Sequence, residues 1–115
     1  SAMVQKAQEA AAELSKEGIE AEIVDLRSLV PLDEKAILES VKKTGCAVSA
    51  EEHQINGGLG DSIAQTLSRH NPAPLEYVGV NDSFGESGTP TQLLEKYGLN
   101  AENIVKAAKR ALARK

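Results

Sequence analysis

Cysteine and aromatic residues are scarce in this 115-residue sequence, which has one cysteine, no tryptophan, two tyrosines and one phenylalanine. A single cysteine, Cys46, cannot form an internal disulfide, and such usage is typical of a cytoplasmic protein. So few aromatic side chains cannot build a surface on which nucleic-acid bases stack. One cysteine and two separated histidines also fall short of a zinc site, so we expect no metal-binding residues.

Long apolar runs and a basic surface are also absent. No run approaches the roughly 18 residues of a membrane span, so a membrane partner is not expected. The net charge is −4, and basic residues gather only near the C-terminus, where they suit the last turns of a helix. A nucleic-acid partner is therefore disfavoured.

The sequence does contain enough apolar residues, 41 % of the total, for one hydrophobic core. The length suits one domain. Ser1 and Ala2 are interpreted as residues left by cloning, so the domain is predicted over 3–115.

The spacing of apolar residues predicts helices that alternate with strands. The predicted strands are 19–26, 46–50 and 75–80; the predicted helices are 3–17, 34–43, the stretch from the glycine turn to about 69, 90–97 and 101–115. This alternation predicts an α/β fold with three layers, α/β/α, around a mostly parallel sheet. The first element is a helix, although a helix in this architecture normally follows a strand.

Polar residues mark the beginnings of several helices. Asp33 and Asn100 are predicted N-caps, and Thr89 with Gln92 forms a capping box. These signals place the helix boundaries independently of the apolar spacing.

The stretch "EEHQINGGLG" follows the second predicted strand, where an open parallel sheet places its functional crevices. Gly57, Gly58 and Gly60 permit tight turns, and the amides of the next helix could hold an anion. The spacing is neither a dinucleotide fingerprint nor a P-loop, and Asp61 would repel a phosphate. Turn geometry and packing are the favoured interpretation, with an anion- or nucleotide-binding module as an alternative.

A small enzyme that uses His53 and Glu52 is a third hypothesis. The sequence offers no nucleophile to partner such a base, and adjacent Glu51 and Glu52 in a strand point to opposite faces. We therefore expect no catalytic residues in this chain, and His53 is interpreted as a partly buried or interface residue.

Three stretches, "AEIVDLRSLVPLD", "SAEEHQINGGLGDSIA" and "VGVNDSFGESGTPTQLLEKYGLNAENIV", resemble the C-terminal domain of transketolase in order and spacing. The resemblance runs over about 110 residues from Val4 onward. The domain is also similar to the C-terminal parts of 1-deoxyxylulose-5-phosphate synthase and of 2-oxoacid dehydrogenase β subunits. "FGESGTP" followed by "LLEKYGL" favours transketolase, particularly the C-terminal chain of split transketolases.

The resemblance implies a function and a set of partners. A transketolase moves two-carbon ketol units between sugar phosphates with thiamine diphosphate and Mg²⁺, which its diphosphate-binding and pyrimidine-binding domains hold. The third domain, which this chain resembles, is implied to bind no cofactor and to contribute to assembly, as part of a homo-oligomer. The resemblance thus implies a non-catalytic assembly or dimerisation domain that is inactive alone.

The same resemblance assigns interface positions, with anion binding as their alternative role. They lie in the glycine turn and in the second loop, the stretch "DSFGESG" after the third predicted strand, where Phe84 is expected to contact another subunit: Glu52, His53, Gly57, Gly58, Gly60, Phe84, Gly85, Ser87 and Gly88.

The family's domain begins with a strand before the first helix, and this chain shows at most "SAMV" there. The resemblance therefore implies a domain fragment that lacks its first strand. Because unpaired strand edges invite pairing, exchange between copies or a dimer is expected to fill the gap.

Overall fold

The computed structural model describes residues 2–26, 31–54, 57–80 and 94–115. Residues 94–96 are helical. The longer elements in those ranges are α1 (Ala2–Lys16), α2 (Glu34–Thr44), β1 (Ala47–Gln54), α3 (Leu59–His70), β2 (Leu75–Val80) and α4 (Ala101–Ala113).

The two strands pair in parallel, and α3 connects them. Ala47 lies opposite Leu75 and Ala50 opposite Val78, after which the register shifts so that Gln54 lies opposite Val80. This confirms the predicted parallel α/β sheet. The first of the two strands is longer than predicted, because it continues past Ala50 through the two glutamates to Gln54.

Helices cover both faces of the sheet, as predicted. One hydrophobic core joins α1, β2 and α4, and its buried members are Met3, Ala10, Val78, Val80, Leu99, Ile104 and Ala107. A second core lies between α2, α3 and the other face, with Ile37, Val41, Ile63 and Leu67 buried. Three layers follow from this separation, since each amphipathic helix buries one apolar stripe against the sheet.

Local capping agrees with the sequence at both ends of α2 and at the start of α4. The Asp33 carboxylate accepts a hydrogen bond from the Ala36 amide at 3.0 Å, and the Asn100 side chain accepts one from the Asn103 amide at 2.8 Å. Gly45 ends α2 with a φ of 83°, a left-handed conformation that glycine adopts without steric cost.

The predicted strand at 19–26 is wrong: these residues belong to neither a helix nor a strand. Ile23 and Val24 are 41 % and 37 % exposed. The segment is held over the end of α2 by Glu22, whose carboxylate lies 2.6 Å from Lys43 Nζ. Its β-branched sequence favours a strand, but a strand needs a hydrogen-bonded neighbour, and no other strand lies beside it in the ranges given above.

Part of the predicted fourth helix, with the Thr89–Gln92 capping box, lies outside the described residues. Among the helices that are described, none is long and apolar enough to cross a membrane.

A double ion pair attaches α4 to the sheet. Glu76, on β2, accepts hydrogen bonds from Arg110 Nε at 2.9 Å and from Arg114. These two bonds, the Arg110 bond first, hold the pKa of Glu76 below its ordinary value of 4.5. Because the folded-state pKa is lowered, the pair stabilises the fold above pH 4.5 and ceases to do so as pH falls through the lowered value.

We expect Glu76→Gln to lower the free energy of unfolding at pH 7 by up to about 1 kcal/mol, the usual range for exposed ion pairs. The difference from the parent chain should shrink as the pH falls well below 4.5, since protonation then removes the same charge. Urea unfolding at pH 7 and well below pH 4.5 measures this difference in stability, with Glu95→Gln as a control. A difference in stability that is unchanged at low pH would contradict the assignment of the lowered pKa to this ion pair.

Candidate functional site

The glycine turn joins the carboxyl end of β1 to α3. Gly57 has a φ of 76°, which a side chain would strain. Gly58 is the N-cap of α3, and it has no side chain to satisfy the first amides of the helix. Another group must therefore supply the acceptor at this helix end.

Glu51, on β1, supplies that acceptor. Its Oε1 accepts a hydrogen bond from the Leu59 amide and its Oε2 one from the Gly60 amide, both at 3.0 Å. The Glu51 residue is only 7 % exposed. A buried carboxylate at a helix N-terminus satisfies two amides and also interacts favourably with the helix dipole. The bidentate contact connects the strand directly to the helix that follows it.

A second carboxylate, Asp61, completes the polar cluster. Its Oδ2 accepts a hydrogen bond from the Gly57 amide at 2.6 Å. Tyr77, on β2, lies near the same carboxylate. Burial, and then the charge of Asp61, raises the pKa of Tyr77 above its ordinary value of 10.0. The phenol therefore stays protonated and adds no further negative charge beside Asp61.

Gly60 lies where the first turn of α3 approaches the sheet most closely. A Cβ at this position would come within 2.4 Å of two ring carbons of Tyr77 and 2.7 Å of Ser49 Oγ. Ser49 has no room to yield, since it is 2 % exposed. This turn needs glycine for the packing of helix against strand.

The cluster is poorly suited to bind an anion. The Leu59 and Gly60 amides are already bonded to Glu51, and Asp61 adds a second negative charge. An incoming phosphate would have to displace one carboxylate and tolerate another.

Thiamine diphosphate with Mg²⁺ does not fit these residues either. Within the described ranges no group of three or more His, Cys, Asp or Glu side chains could hold a metal ion. A diphosphate would meet the same two carboxylates. We derive no catalytic step through that cofactor for this chain.

The structure brings together only some of the residues that the sequence indicated. Gly57, Gly58 and Gly60 form the turn, and the Glu52 side chain is exposed on the opposite face from Glu51. His53 lies in β1, but its side chain is outside the described part of the chain. The second-loop positions lie outside the described residues as well: Phe84, Gly85, Ser87 and Gly88.

Sequence reasoning missed the roles of Glu51 and Tyr77. Glu51 lies eight residues before Leu59, a spacing that no capping motif predicts. Tyr77 is on the neighbouring strand, so its contact with Gly60 depends on strand pairing. Only the tertiary arrangement could reveal either role.

These features define a three-layer α/β domain whose glycine turn is capped by its own carboxylates. The chain belongs to the transketolase C-terminal domain family, since the family model described as "Transketolase, C-terminal domain" matches residues 1–104.

Relatives and a solved structure agree with this family. The chain is 46 % identical over 113 residues to a 6-deoxy-6-sulfo-D-fructose transketolase subunit from Clostridium sp. (strain MSTE9), a match that covers 98 % of this chain and 35 % of that subunit. It is 37 % identical over 109 residues to 1-deoxy-D-xylulose-5-phosphate synthase from Heliobacterium modesticaldum, covering 94 % of this chain and 17 % of that enzyme. A solved structure titled "Split gene transketolase, inactive beta4 tetramer" superposes with a TM-score of 0.90 at 52 % identity, covering 96 % of this chain and 36 % of that one. This chain thus spans about a third or less of each.

We expect Gly60→Ala to lower the free energy of unfolding by about 1–3 kcal/mol through overpacking against Tyr77 and Ser49. The direction of the change is informative, because replacing glycine with alanine inside an exposed helix normally raises the free energy of unfolding by about 0.8–1.0 kcal/mol. Ser68→Ala, on the exposed face of the same helix, should change stability by about 0.5 kcal/mol or less. Urea unfolding of the three proteins decides the matter, and a Gly60→Ala protein as stable as the parent would refute the close approach.

Glu51→Ala should cost about 1–2 kcal/mol, as expected for the loss of a helix cap. Its matched control is Glu52→Ala, which removes the adjacent exposed carboxylate and should be nearly neutral. Equal losses in urea unfolding would mean that the capping bonds contribute nothing.

Titration calorimetry with inorganic phosphate on the same proteins tests the anion-binding alternative. The parent chain should give no saturable heat, because Glu51 occupies the amides. The anion-binding alternative would be supported if the parent chain bound phosphate saturably and the Glu52→Ala chain bound it equally well.

Proposed function

We propose that this chain is a non-catalytic assembly domain of a transketolase that transfers two-carbon ketol units between sugar phosphates. The observation that carries the proposal is the polar turn itself. The Leu59 and Gly60 amides of α3 bond to Glu51, and the Gly57 amide of the turn bonds to Asp61, so these amides do not lie open to a diphosphate. The turn therefore suits a packing role at the carboxyl end of β1, where the strand meets α3.

Thiamine diphosphate and Mg²⁺ belong, in this proposal, to the diphosphate-binding and pyrimidine-binding domains of the complete enzyme. Those domains are the partners of this chain, together with further copies in a homo-oligomer located in the cytoplasm. The similar proteins support this assignment, since one relative is a transketolase subunit and the similar solved structure is a tetramer. The positions in the glycine turn and the second loop are proposed contacts with these partners.

A 1-deoxyxylulose-5-phosphate synthase is the second candidate for the parent enzyme, and the similarity to the Heliobacterium enzyme favours it. The higher identity to the transketolase subunit supports the first candidate. A 2-oxoacid dehydrogenase β subunit shares the domain type but acts on a 2-oxoacid.

Reconstitution tests the assembly role. The two cofactor-binding domains are expressed with and without this chain, and light scattering after gel filtration gives the oligomer mass. We expect the larger oligomer, and two-carbon transfer from a ketose phosphate, only when this chain is present. The chain alone should show no turnover.

The controls separate the competing functions. A Ser68→Ala chain, altered on the exposed face of α3 away from the proposed contacts, should assemble, whereas a scrambled chain should not. Turnover by the purified chain alone would establish the small-enzyme hypothesis instead. Oligomer mass and activity that do not depend on this chain would refute the assembly role. Formation of 1-deoxy-D-xylulose 5-phosphate by the reconstituted enzyme would favour the synthase.

A further inference from the structure

The outer edge of β2, which is the side that faces away from β1, carries backbone groups that β1 does not use. The Ala47 amide of β1 donates to the Pro74 carbonyl oxygen at 2.9 Å, so alternate residues from Pro74 onward direct their backbone polar groups toward β1. The residues between them, Leu75, Tyr77 and Gly79, direct theirs to the outer edge. Among the residues that the structure describes, no third strand pairs with that edge.

A hydrogen bond from α4 supports this direction at Leu75. The Leu75 carbonyl oxygen accepts a hydrogen bond from Arg114 Nη1 at 3.2 Å, so it does not bond to β1. Farther along β2, Tyr77 and Gly79 line a small cavity of about 160 Å³. Amide donors and carbonyl acceptors alternate along such an edge, and an extended polypeptide presents the complementary alternation.

Three side chains that follow β2 in sequence line the rest of the cavity, and all three are polar: Tyr97, Asn103 and Arg110. The Asn103 amide group donates to the Gly98 carbonyl oxygen at 2.8 Å, while its own oxygen is an acceptor. Arg110 uses its Nε for Glu76, and its guanidinium carries further N–H donors. The cavity therefore suits a polar side chain better than an apolar one.

The charge beside the cavity specifies that side chain further. Arg110 and Arg114 share one carboxylate, that of Glu76, so this cluster has an excess of positive charge. The chain as a whole has a net charge of −4. An acidic side chain is complementary to the local positive excess, and guanidinium groups bind carboxylates through charge-assisted hydrogen bonds.

We propose that the outer edge of β2 is an interaction surface for an extended acidic peptide segment of a partner protein. The segment adds a strand to the sheet through backbone hydrogen bonds to Tyr77 and Gly79, and it places one aspartate or glutamate side chain in the cavity beside Arg110. Main-chain bonds give such a complex its affinity, and the cavity gives it selectivity. The inference rests on the edge and the cavity and does not depend on the proposed function.

A fluorescein-labelled heptapeptide tests the proposal on the full chain. Threonine and valine alternate in it, which favours an extended strand, and its central residue is glutamate. Fluorescence anisotropy should show saturable binding, and a peptide with a central lysine should bind at least about tenfold more weakly. The proposal is wrong if the glutamate peptide shows no saturation up to about 1 mM protein.

Methylation of the peptide nitrogens tests strand addition on the parent chain. Because successive residues direct their amides to opposite edges, one peptide is methylated at its two valines and a matched peptide at the two threonines beside the glutamate. One of the two, and only one, should bind at least about tenfold more weakly. Which one it is reports whether the segment runs parallel or antiparallel to β2. Equal effects would exclude strand addition.

Two charge reversals on α4 test the cavity. Arg110→Glu reverses the charge beside it, whereas Lys106→Glu makes the same change in net charge at an exposed residue that pairs with Glu102 of the same helix. Binding of the glutamate peptide should weaken at least about tenfold with the first variant and less than about twofold with the second. Equal losses would mean that only net charge matters and would contradict the proposal. Urea unfolding checks that both variants fold, and the methylated peptides test the parent chain in either case.

A second copy of this chain is the competing occupant of the edge. Light scattering after gel filtration, at rising protein concentration, distinguishes the two. We expect no dimer that depends on the outer edge of β2. A dimer that is lost with Arg110→Glu and is unaffected by the glutamate peptide would assign the edge to a second copy and overturn the proposal.

Discussion

The contact between the Glu51 carboxylate and the first amides of α3 connects the strand, the turn and the helix of this domain. It satisfies two helix amides at a terminus where Gly58 offers no side chain. The absence of a side chain at Gly60 allows α3 to lie close enough to β1 and β2 for this contact to form. Strand pairing in turn brings Tyr77 beside Asp61 and Gly60. The geometry of the β1–α3–β2 unit therefore depends on one buried carboxylate and one missing methyl group.

The same contact limits the chemistry of the turn. Helix N-termini after glycine-rich turns often bind phosphates, because their amides and dipole attract negative charge. Here the protein provides that negative charge itself, through Glu51 and Asp61. A turn that resembles a phosphate site in sequence therefore serves to hold the helix against the strand. This distinction supports an assembly role for a member of a family whose enzymes use a diphosphate cofactor.

In the part of the chain that the structure describes, the sheet has two strands, which are few for an α/β domain with helices on both faces. A groove of about 1050 Å³ lies beside β1. The two hydrophobic cores remain separate, one on each face of the sheet.

The sequence by itself determined the local features. Helix positions follow from the spacing of apolar residues. The caps at Asp33, Gly45 and Asn100 follow from residue types whose capping interactions lie within one turn of the helix end. The alternation of helices with apolar runs also predicted the parallel sheet and its three layers, and the family resemblance was carried by motifs in order. Tertiary structure decided what depends on residues distant in sequence. Segment 19–26 has a strand-like sequence but no strand, because pairing requires a neighbour that local propensity cannot supply. The hydrogen-bond partners of Glu51 and the close packing at Gly60 likewise depend on how α3 packs against the two strands, since both arise from contacts between separate elements.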